Sequence, residues 1–284
     1  MSAANELRDQ LNRSSCLLVP DAHDVMTAQL VEAAGFDAVY VGSFGSGASR
    51  WGVPDQSLLS LSQLIDHFRA VAERVTVPVL VDLEDGGANA VNVHHSTIAA
   101  ERAGIAGIQI EDQVPGKLLG VPGRLYPLEV AADRIRVAVD ARTDPDTVII
   151  GRTEAISVGS DREEAFERCA AYAAAGADLV TCSFLPDEQS AELADKCGVP
   201  VAAFVVGTAT ESELASKGIS MAIYPMQTAL IAYREIKSAL EALRSRGESL
   251  DMTTFGALMT ELMALQDGPA NAELAETHHL NTQS

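Results

Sequence analysis

Short apolar segments alternate with longer amphipathic segments along almost the whole chain. Eight of the short segments are rich in Val, Ile, Leu and Ala, which is typical of parallel strands covered on both faces. They span residues 16–19, 38–41, 77–81, 107–110, 147–150, 179–182, 199–204 and 220–224. The longer segments repeat their apolar positions with the period of an α-helix and include residues 25–34, 58–75, 90–103, 127–141, 161–175 and 227–245. The pattern predicts alternating strands and helices.

The junctions from helix to strand carry a recurrent Ala-Gly pair. It occurs at residues 34–35, 103–104 and 175–176, each time just before a predicted strand. Glycine favours this place because it adopts the left-handed conformation that ends many helices. Eight strand–helix units of right-handed parallel topology predict a (β/α)8 TIM barrel rather than an open doubly wound sheet. We therefore expect an α/β protein of one domain, residues 1–284, with the barrel at about residues 16–245.

A further apolar helix is predicted beyond the eighth strand–helix unit. Residues 250–266 carry Leu, Met and Phe on more of the helix surface than one barrel-facing stripe requires, and Thr253 or Thr254 can cap the start. Such a helix covers either its own barrel or a neighbouring subunit. We expect it to cross a subunit boundary in a homo-oligomer. Residues 267–284 are predicted to form a polar, mobile tail.

Acidic residues cluster where three predicted strands end. Asp82 and Glu84 follow the third strand, Glu111 follows the fourth, and Arg152 follows the fifth. The carboxyl ends of barrel strands meet on one rim, where TIM-barrel enzymes build their active sites. Carboxylate oxygens are the ligands that Mg²⁺ prefers, and an arginine beside them suits an anionic substrate. The pattern predicts a metal-dependent enzyme, with Asp55 after the second strand as a further candidate.

Two loops are candidates for binding substrate at the same rim. Residues 42–49 are small, polar and glycine-rich, so their backbone N–H groups and hydroxyls can cradle a carboxylate or a phosphate. Residues 113–123 carry Gly and Pro at close intervals and one central lysine, Lys117. This composition favours a lid over the barrel mouth, in which Lys117 neutralises substrate charge.

The composition narrows the classes of function and location. The 284 residues carry a formal net charge of −20, which argues against binding to nucleic acid or to an anionic membrane. No segment approaches the roughly 20 apolar residues of a membrane span, and residues 1–13 lack the apolar core of a signal peptide. The cysteines, Cys16, Cys169, Cys182 and Cys197, form no CxxC pair. We expect a cytoplasmic protein with reduced thiols.

Six motifs together resemble the isocitrate lyase/phosphoenolpyruvate mutase superfamily. They are residues 33–40 (AAGFDAVY), 52–55 (GVPD), 81–86 (VDLEDG), 107–113 (GIQIEDQ), 151–155 (GRTEA) and 223–225 (IYP). The resemblance extends from about residue 17 to residue 266. It implies a barrel enzyme that depends on Mg²⁺, with Mn²⁺ as the alternative, and acts on small carboxylates such as 2-oxo acids. It also implies a homotetramer whose C-terminal helices are swapped between subunits.

The resemblance assigns a metal role to four of the acids. Asp82 is then the direct ligand, while Glu84, Glu111 and Asp55 hold waters on the metal. A 2-oxo acid chelates Mg²⁺ through its carboxylate and oxo oxygens, so cleavage beside the carbonyl leaves an enolate whose charge the metal stabilises.

The resemblance also assigns substrate contacts. Ser43 meets the carboxylate or phosphoryl group of the substrate, with Phe44 and Gly45 beside it in the substrate-binding turn. Arg152 binds substrate anions through its planar fork of N–H donors. Lys117 and Arg152 are the candidate catalytic residues.

Several positions depart from the family pattern. Leu119 stands where isocitrate-type lyases carry the Cys acid/base and where the mutases carry Asn, and Val121 replaces a His. Residues 202–207 (AAFVVG) lack the usual Asn and Glu, the loop after strand six (residues 181–183) lacks the common Glu, and Phe44 replaces a Gly. The residues that the resemblance assigns to the metal are present, whereas the residues that supply the proton in isocitrate-type lyases are absent. This difference disfavours isocitrate-type cleavage.

These observations lead to three hypotheses for function. The first is a Mg²⁺-dependent lyase that cleaves a carbon–carbon bond of a small 2-oxo acid or related carboxylate, by decarboxylation or retro-aldol cleavage. The second is phosphorus–carbon chemistry, as in a phosphonopyruvate hydrolase or a phosphoenolpyruvate mutase. The third is a barrel that binds a 2-oxo acid without turnover.

Overall fold

Eight parallel strands form a single sheet. A computed structural model describes residues 2–13, 15–116 and 123–277. The strands are β1 (Leu17–Pro20), β2 (Val39–Val41), β3 (Val79–Asp82), β4 (Gly107–Glu111), β5 (Val148–Thr153), β6 (Leu179–Cys182), β7 (Val201–Phe204) and β8 (Ile219–Tyr224). Their order in the sheet is β1-β8-β7-β6-β5-β4-β3-β2. Every strand predicted from the sequence is confirmed, with ends that differ by at most three residues.

The sheet closes on itself between β1 and β2. The N–H of Ala22 donates to the carbonyl of Tyr40 at 2.7 Å, and Asp21 and Tyr40 form a parallel bridge. On the other side of β1, the N–H of Asp21 donates to the carbonyl of Tyr224 at 3.2 Å. The predicted TIM barrel is therefore confirmed.

Helices follow the strands and surround the barrel. They are α1 (Ala3–Arg13), α2 (Val25–Ala33), α3 (Ser43–Ser46), α4 (Leu61–Ala72), α5 (Ala90–Arg102), α6 (Leu128–Ala141), α7 (Arg162–Ala174), α8 (Ser190–Cys197), α9 (Glu211–Ser216), α10 (Gln227–Arg246), α11 (Met252–Leu265) and α12 (Gly268–Thr277). Asp24, Ser60, Asn89 and Asp161 cap α2, α4, α5 and α7 by accepting backbone N–H groups of the first turn. The six helical segments predicted from the sequence are confirmed.

Helix α1, which the sequence analysis did not predict, joins the core of the barrel interior. Ala4 and Leu7 are buried and pack in the same cluster as Leu80, Val148 and Ile150. The guanidinium of Arg8 donates to the carbonyl of Asp146 at 2.8 Å and to the carboxylate of Asp178 at 2.9 Å, so the segments before β5 and β6 hold the helix. These contacts lie at the amino ends of the strands, which leaves the carboxyl ends for a site.

The residues from Leu230 onward form a compact unit of their own, separate from Met1–Ala229. Helix α11 confirms the helix predicted at residues 250–266, although Asp251 caps it rather than Thr253 or Thr254. Within the predicted polar tail, Gly268–Thr277 form α12, a helix that the sequence analysis did not predict. An alanine-rich run there, with Pro269 in the first turn, favours a helix. Residues 278–284 lie outside the described residues.

Large apolar side chains on this second unit are exposed. They include Leu240, Leu243, Leu250, Met252, Phe255, Leu258, Met259, Leu262 and Met263.

No helix in the described part of the chain combines the length and the apolar character needed to cross a membrane.

We predict that Gly107→Ala destabilises the barrel. Gly107 begins β4, and a Cβ atom there would lie 2.9 Å from Cγ of Leu80 and 3.1 Å from Cδ2 of Leu7. Overpacking of this kind costs about 1–3 kcal/mol of unfolding free energy, which urea denaturation can measure. Gly47→Ala is the matched control, because its φ is −61° and its new methyl group would meet neighbours at 3.5 Å or more. Equal stability of the two variants would contradict the packing described for α1.

Candidate active site at the carboxyl end of the barrel

The ends of three neighbouring strands bring Asp82, Glu111 and Arg152 together. Asp82 and Glu111 are the last residues of β3 and β4, and Glu111 is the register partner of Arg152 in β5. Nη1 of Arg152 lies 3.4 Å from Oδ2 of Asp82, and Nε lies 3.4 Å from Oε2 of Glu111. Oγ of Ser43, at the start of α3, lies 3.4 Å from the same Asp82 oxygen. Three carboxyl-end side chains and one hydroxyl therefore meet on the rim.

A cavity of about 430 Å³ opens above this cluster. Ser43, Phe44, Gly45, Asp55, Asp82 and Arg152 line it, so most of the residues indicated by the sequence share one space. Glu84 lines a smaller adjoining cavity, together with Ser43 and Asp55. Residues 42–49, predicted as a cradling loop, form the short helix α3 followed by a π-helical turn at Gly47–Trp51.

Arg152 is held from several sides. Its Nε donates to Oε1 of Glu154 at 2.6 Å, and Ser183 donates its hydroxyl to the same oxygen. The ring of Phe204 lies under the guanidinium, 4.7 Å from its centre. Burial opposes the charge on Arg152, but Glu154, Glu111 and Asp82 together raise its pKa well above the ordinary value. Arg152 is a fixed, permanent cation.

The pKa of Glu154 is lowered. Burial alone raises the pKa of this carboxyl, but the charge of Arg152 and hydrogen bonds from Ser157 and Ser183 outweigh the burial. Asp82, Glu111 and Glu154 all face the guanidinium of Arg152, and the formal charges of these four side chains sum to −2. A divalent cation matches that charge.

The turn after β3 fixes the direction in which Asp82 points. Glu84 adopts a left-handed backbone with φ of 53°, which is uncommon for a residue with a Cβ atom. The N–H of Glu84 donates to Oδ1 of Asp82 at 2.9 Å, and the carbonyl of Glu84 accepts from the N–H of Glu111 at 2.8 Å. One carboxylate oxygen of Asp82 thus holds the turn, while the other faces Ser43 and Arg152.

The last acid of the clusters that follow β3 and β4 has a different role from the first. Asp112 is buried and accepts from Tyr172 at 2.6 Å, from Thr153 at 2.7 Å and from Arg168 at 3.2 Å. Asp85 accepts from the hydroxyl of Tyr126 at 2.8 Å, and its partner Arg134 donates to three carbonyls of the same turn. These acids anchor the rim loops to the surrounding helices.

The stems of the predicted lid lie together. The N–H of Val114 donates to the carbonyl of Arg124 at 2.8 Å, and Gln113 and Leu125 form an antiparallel bridge. Lys117, Leu119 and Val121 lie outside the described residues, so the role of Lys117 stays a prediction.

Comparison with known proteins shows the family of the chain. Residues 7–244 match the family model described as phosphoenolpyruvate phosphomutase. The 2,3-dimethylmalate lyase of Eubacterium barkeri is 34% identical over 268 residues, which cover 92% of this chain and 91% of that enzyme. The chain belongs to the phosphoenolpyruvate mutase/isocitrate lyase superfamily.

Solved structures of this superfamily share the fold over nearly the full length. Oxaloacetate acetylhydrolase in complex with the inhibitor 3,3-difluorooxalacetate has a TM-score of 0.88 at 26% identity, covering 98% of this chain and 97% of its own. Phosphonopyruvate hydrolase in complex with oxalate and Mg²⁺ has a TM-score of 0.85 at 27% identity, covering 99% of this chain and 100% of its own.

The sequence analysis missed one acid that lines the cavity, Asp21. Asp21 directly follows β1, so it occupies the same strand-end position as the other acids, but it stands alone rather than in a cluster. Its Oδ1 accepts from the N–H of Gly42 at 3.0 Å, while Oδ2 is buried and has no hydrogen-bond partner among the described residues. Burial, with a smaller contribution from the charge of Asp82, raises the pKa of Asp21 to about 6.

We predict that Asp21→Asn stabilises the metal-free protein at neutral pH. Because folding raises the pKa of Asp21 from 3.8 to about 6, the ionised carboxylate is disfavoured in the fold. The wild type therefore loses stability relative to the variant as pH rises from about 4 to about 6, by about 3 kcal/mol when ionisation is complete. Urea unfolding at pH 4 and at pH 8 measures this difference.

The surface substitution Asp37→Asn controls for the loss of one negative charge. A stability difference between Asp21→Asn and wild type that is the same at both pH values would show that the carboxyl does not titrate in this window.

Proposed function

We propose that the chain is a Mg²⁺-dependent lyase that cleaves a carbon–carbon bond of a small 2-oxo acid or related carboxylate. The observation that carries this proposal is the rim cluster of Asp82, Glu111, Glu154 and Arg152, whose charges sum to −2 beside the hydroxyl of Ser43. The names of relatives support it, since they include a dimethylmalate lyase and an oxaloacetate decarboxylase, both of which act on small carboxylates.

The residues at the rim fit a magnesium ion. Asp82 is the proposed direct ligand, and Glu84, Glu111 and Asp55 are proposed to bind the ion through water. Among the described residues, no three His, Cys, Asp or Glu side chains form a complete metal cage, and Mg²⁺ characteristically uses one or two carboxylates and keeps several waters. When bound, the ion supplies a Lewis acid that stabilises the negative charge developing on the oxo oxygen.

The protein's own groups bind and orient the substrate. Ser43 donates its hydroxyl to the substrate carboxylate, and Arg152 offers a planar pair of N–H donors. Glu154 and Phe204 hold Arg152 in one orientation, so little freedom is lost when substrate binds. The proposed source of the proton that completes cleavage is solvent or Asp21, which lines the same cavity and whose pKa burial raises to about 6.

We predict that Asp82→Asn strongly weakens Mg²⁺ binding and catalysis and leaves the fold intact. The amide oxygen of asparagine can still accept from the N–H of Glu84, which preserves the turn, but the charge that attracts the cation is lost. We expect affinity for Mg²⁺ in the presence of oxalate, measured by calorimetry, to fall at least about tenfold. Asp37→Asn again controls for charge. Wild-type Mg²⁺ affinity in Asp82→Asn would remove this residue from the role.

The reaction itself is tested with a panel of substrates at saturating Mg²⁺. The proposal expects cleavage of 2-oxo acids or of malate-type hydroxy acids, read out as pyruvate or carbon dioxide release. Phosphate release from phosphonopyruvate would assign phosphorus–carbon chemistry instead. Binding of every compound without turnover would leave a carboxylate-binding barrel.

We further propose that the chain is a homotetramer that uses its C-terminal helices for assembly. Apolar side chains at consecutive turns of α11, including Phe255, Leu258, Met259 and Leu262, are exposed on the described chain. A contiguous apolar surface of this kind is typical of a protein interface. The barrel and this helical segment would then form one subunit that is completed by its neighbours.

We predict that ending the chain at Gly247 yields monomers or aggregates, since the apolar helix is lost and its partner surface is uncovered. Light scattering at micromolar concentration measures the mass. A chain that ends at Thr277 is the matched control and should keep the wild-type mass. The double variant Phe255→Glu and Leu258→Glu should weaken assembly without any deletion. A monomeric full-length protein would refute the proposal.

A further inference from the structure

The cavity above the rim cluster has two chemically different parts. Its floor is polar and carries Ser43, Asp82 and Arg152. One side of its wall is apolar and comes largely from the loops after β6, β7 and β8, while the polar residues Asp21, Tyr40, Asp55 and Ser183 also line the cavity. Among the described residues, this apolar wall consists of Phe44, Phe184, Phe204, Val206, Pro225 and Met226.

Arg152 is the one cationic side chain among the described lining residues, and its guanidinium faces the carboxylates at the floor. Nε, Nη1 and Nη2 of Arg152 all face carboxylates of the rim cluster. Phe204 covers a face of the guanidinium and packs edge-on against Tyr40, with ring centroids 6.3 Å apart. A ligand whose head group binds at the floor therefore finds no second cation among the described lining residues, which include the apolar wall and the acids Asp21 and Asp55.

Two residues of the apolar wall are exposed to an unusual degree. The side chain of Phe184 is 79% exposed and that of Val206 is 89% exposed. Phe184 also has a left-handed backbone with φ of 63°, which is strained for an aromatic residue. Strain and exposed apolar surface at the mouth of a cavity are both features of binding sites.

We propose that the apolar wall binds an alkyl or aryl group at the end of the substrate distant from its chelating carboxylate. The preferred substrates are then 2-oxo or 2-hydroxy acids with an apolar tail, rather than acids with a second carboxylate at that end. This inference rests on the proposed function, which places the carboxylate head at the floor.

The size of the cavity agrees with a tail. A volume of about 430 Å³ corresponds to about fourteen water molecules in the liquid. A pyruvate head leaves much of that volume to water, whereas a tail displaces water from the aromatic rings of the wall. Each methylene group buried there should strengthen binding about fourfold.

The experiment is calorimetry on the full-length protein with saturating Mg²⁺. The ligands are pyruvate, 2-oxobutanoate, 2-oxopentanoate and phenylpyruvate, which share one head and differ in the tail. We expect affinity to rise along this series. A second pair isolates charge: 2-oxoglutarate and 2-oxo-5-methylhexanoate have the same shape, but the distal carboxylate is replaced by an isopropyl group. We expect the isopropyl compound to bind at least about tenfold more tightly.

Variants test the apolar wall directly. Phe184→Asn removes the ring and keeps a residue that tolerates the left-handed backbone, and Val206→Asn removes the neighbouring apolar surface. Both side chains are exposed, so the fold should be kept, as circular dichroism can check. We expect the ratio of phenylpyruvate to pyruvate affinity to fall at least fivefold in Phe184→Asn. Val91→Asn is the matched control, because Val91 is 66% exposed in the first turn of α5 and does not line the cavity.

The outcomes separate the two proposals. The proposed function stands if pyruvate binding depends on Mg²⁺ and on Asp82. The inference is nevertheless overturned if a tail brings no gain in affinity, or if 2-oxoglutarate binds more tightly than the isopropyl compound. If the ratio of phenylpyruvate to pyruvate affinity is unchanged in both Phe184→Asn and Val206→Asn, the inference is likewise overturned and the proposed function stands. If pyruvate and oxalate fail to bind with Mg²⁺, the head site is absent, and both proposals fall.

Discussion

The arrangement of the rim depends on one buried guanidinium that three carboxylates share. Without Arg152, the ionised forms of Asp82, Glu111 and Glu154 would repel one another in a region that water reaches poorly, and removal of one partner from such a group is strongly destabilising. Arg152 does not cancel the charge completely, and the remaining charge is what makes the rim attractive to a divalent cation. The same interaction therefore holds the strand ends together and creates the chemistry proposed for them.

The barrel supports this cluster through contacts that lie outside the cavity. Asp112 ties β4 to β5 and to α7 through Thr153, Arg168 and Tyr172. Asp85 and Arg134 connect the turn after β3 to α6. Since these groups are buried and hydrogen-bonded, the rim loops have little freedom to move Asp82 and Glu111. Positioning by rigid elements is what lets a few side chains act together on one substrate.

Much of this fold could be predicted from the sequence because its signals are local. Apolar runs marked the strands, and Ala-Gly pairs marked the ends of several helices. Helix α1 was missed because it buries few side chains in a largely polar segment, namely Ala4 and Leu7. The directions of the paired acids could not be predicted either. The left-handed turn at Glu84 helps decide that Asp82 faces the cavity and Asp85 faces α6, and that turn depends on contacts across strands. Asp21 was missed because a single acid after a strand gives no cluster signal.

Contacts that stabilise the barrel and residues that line the cavity lie at opposite ends of the strands, and this separation has an evolutionary consequence. Helix α1 and the salt bridges of Arg8 and Arg142 with Asp178 secure the amino ends of the strands, far from the cavity. These contacts stabilise the end of the barrel that is opposite the cavity. Phe184 and Val206 are exposed, so substitutions at these two positions should cost little folding stability and would change the lining of the cavity without altering the charged rim. A barrel built in this way can acquire new substrates one surface loop at a time.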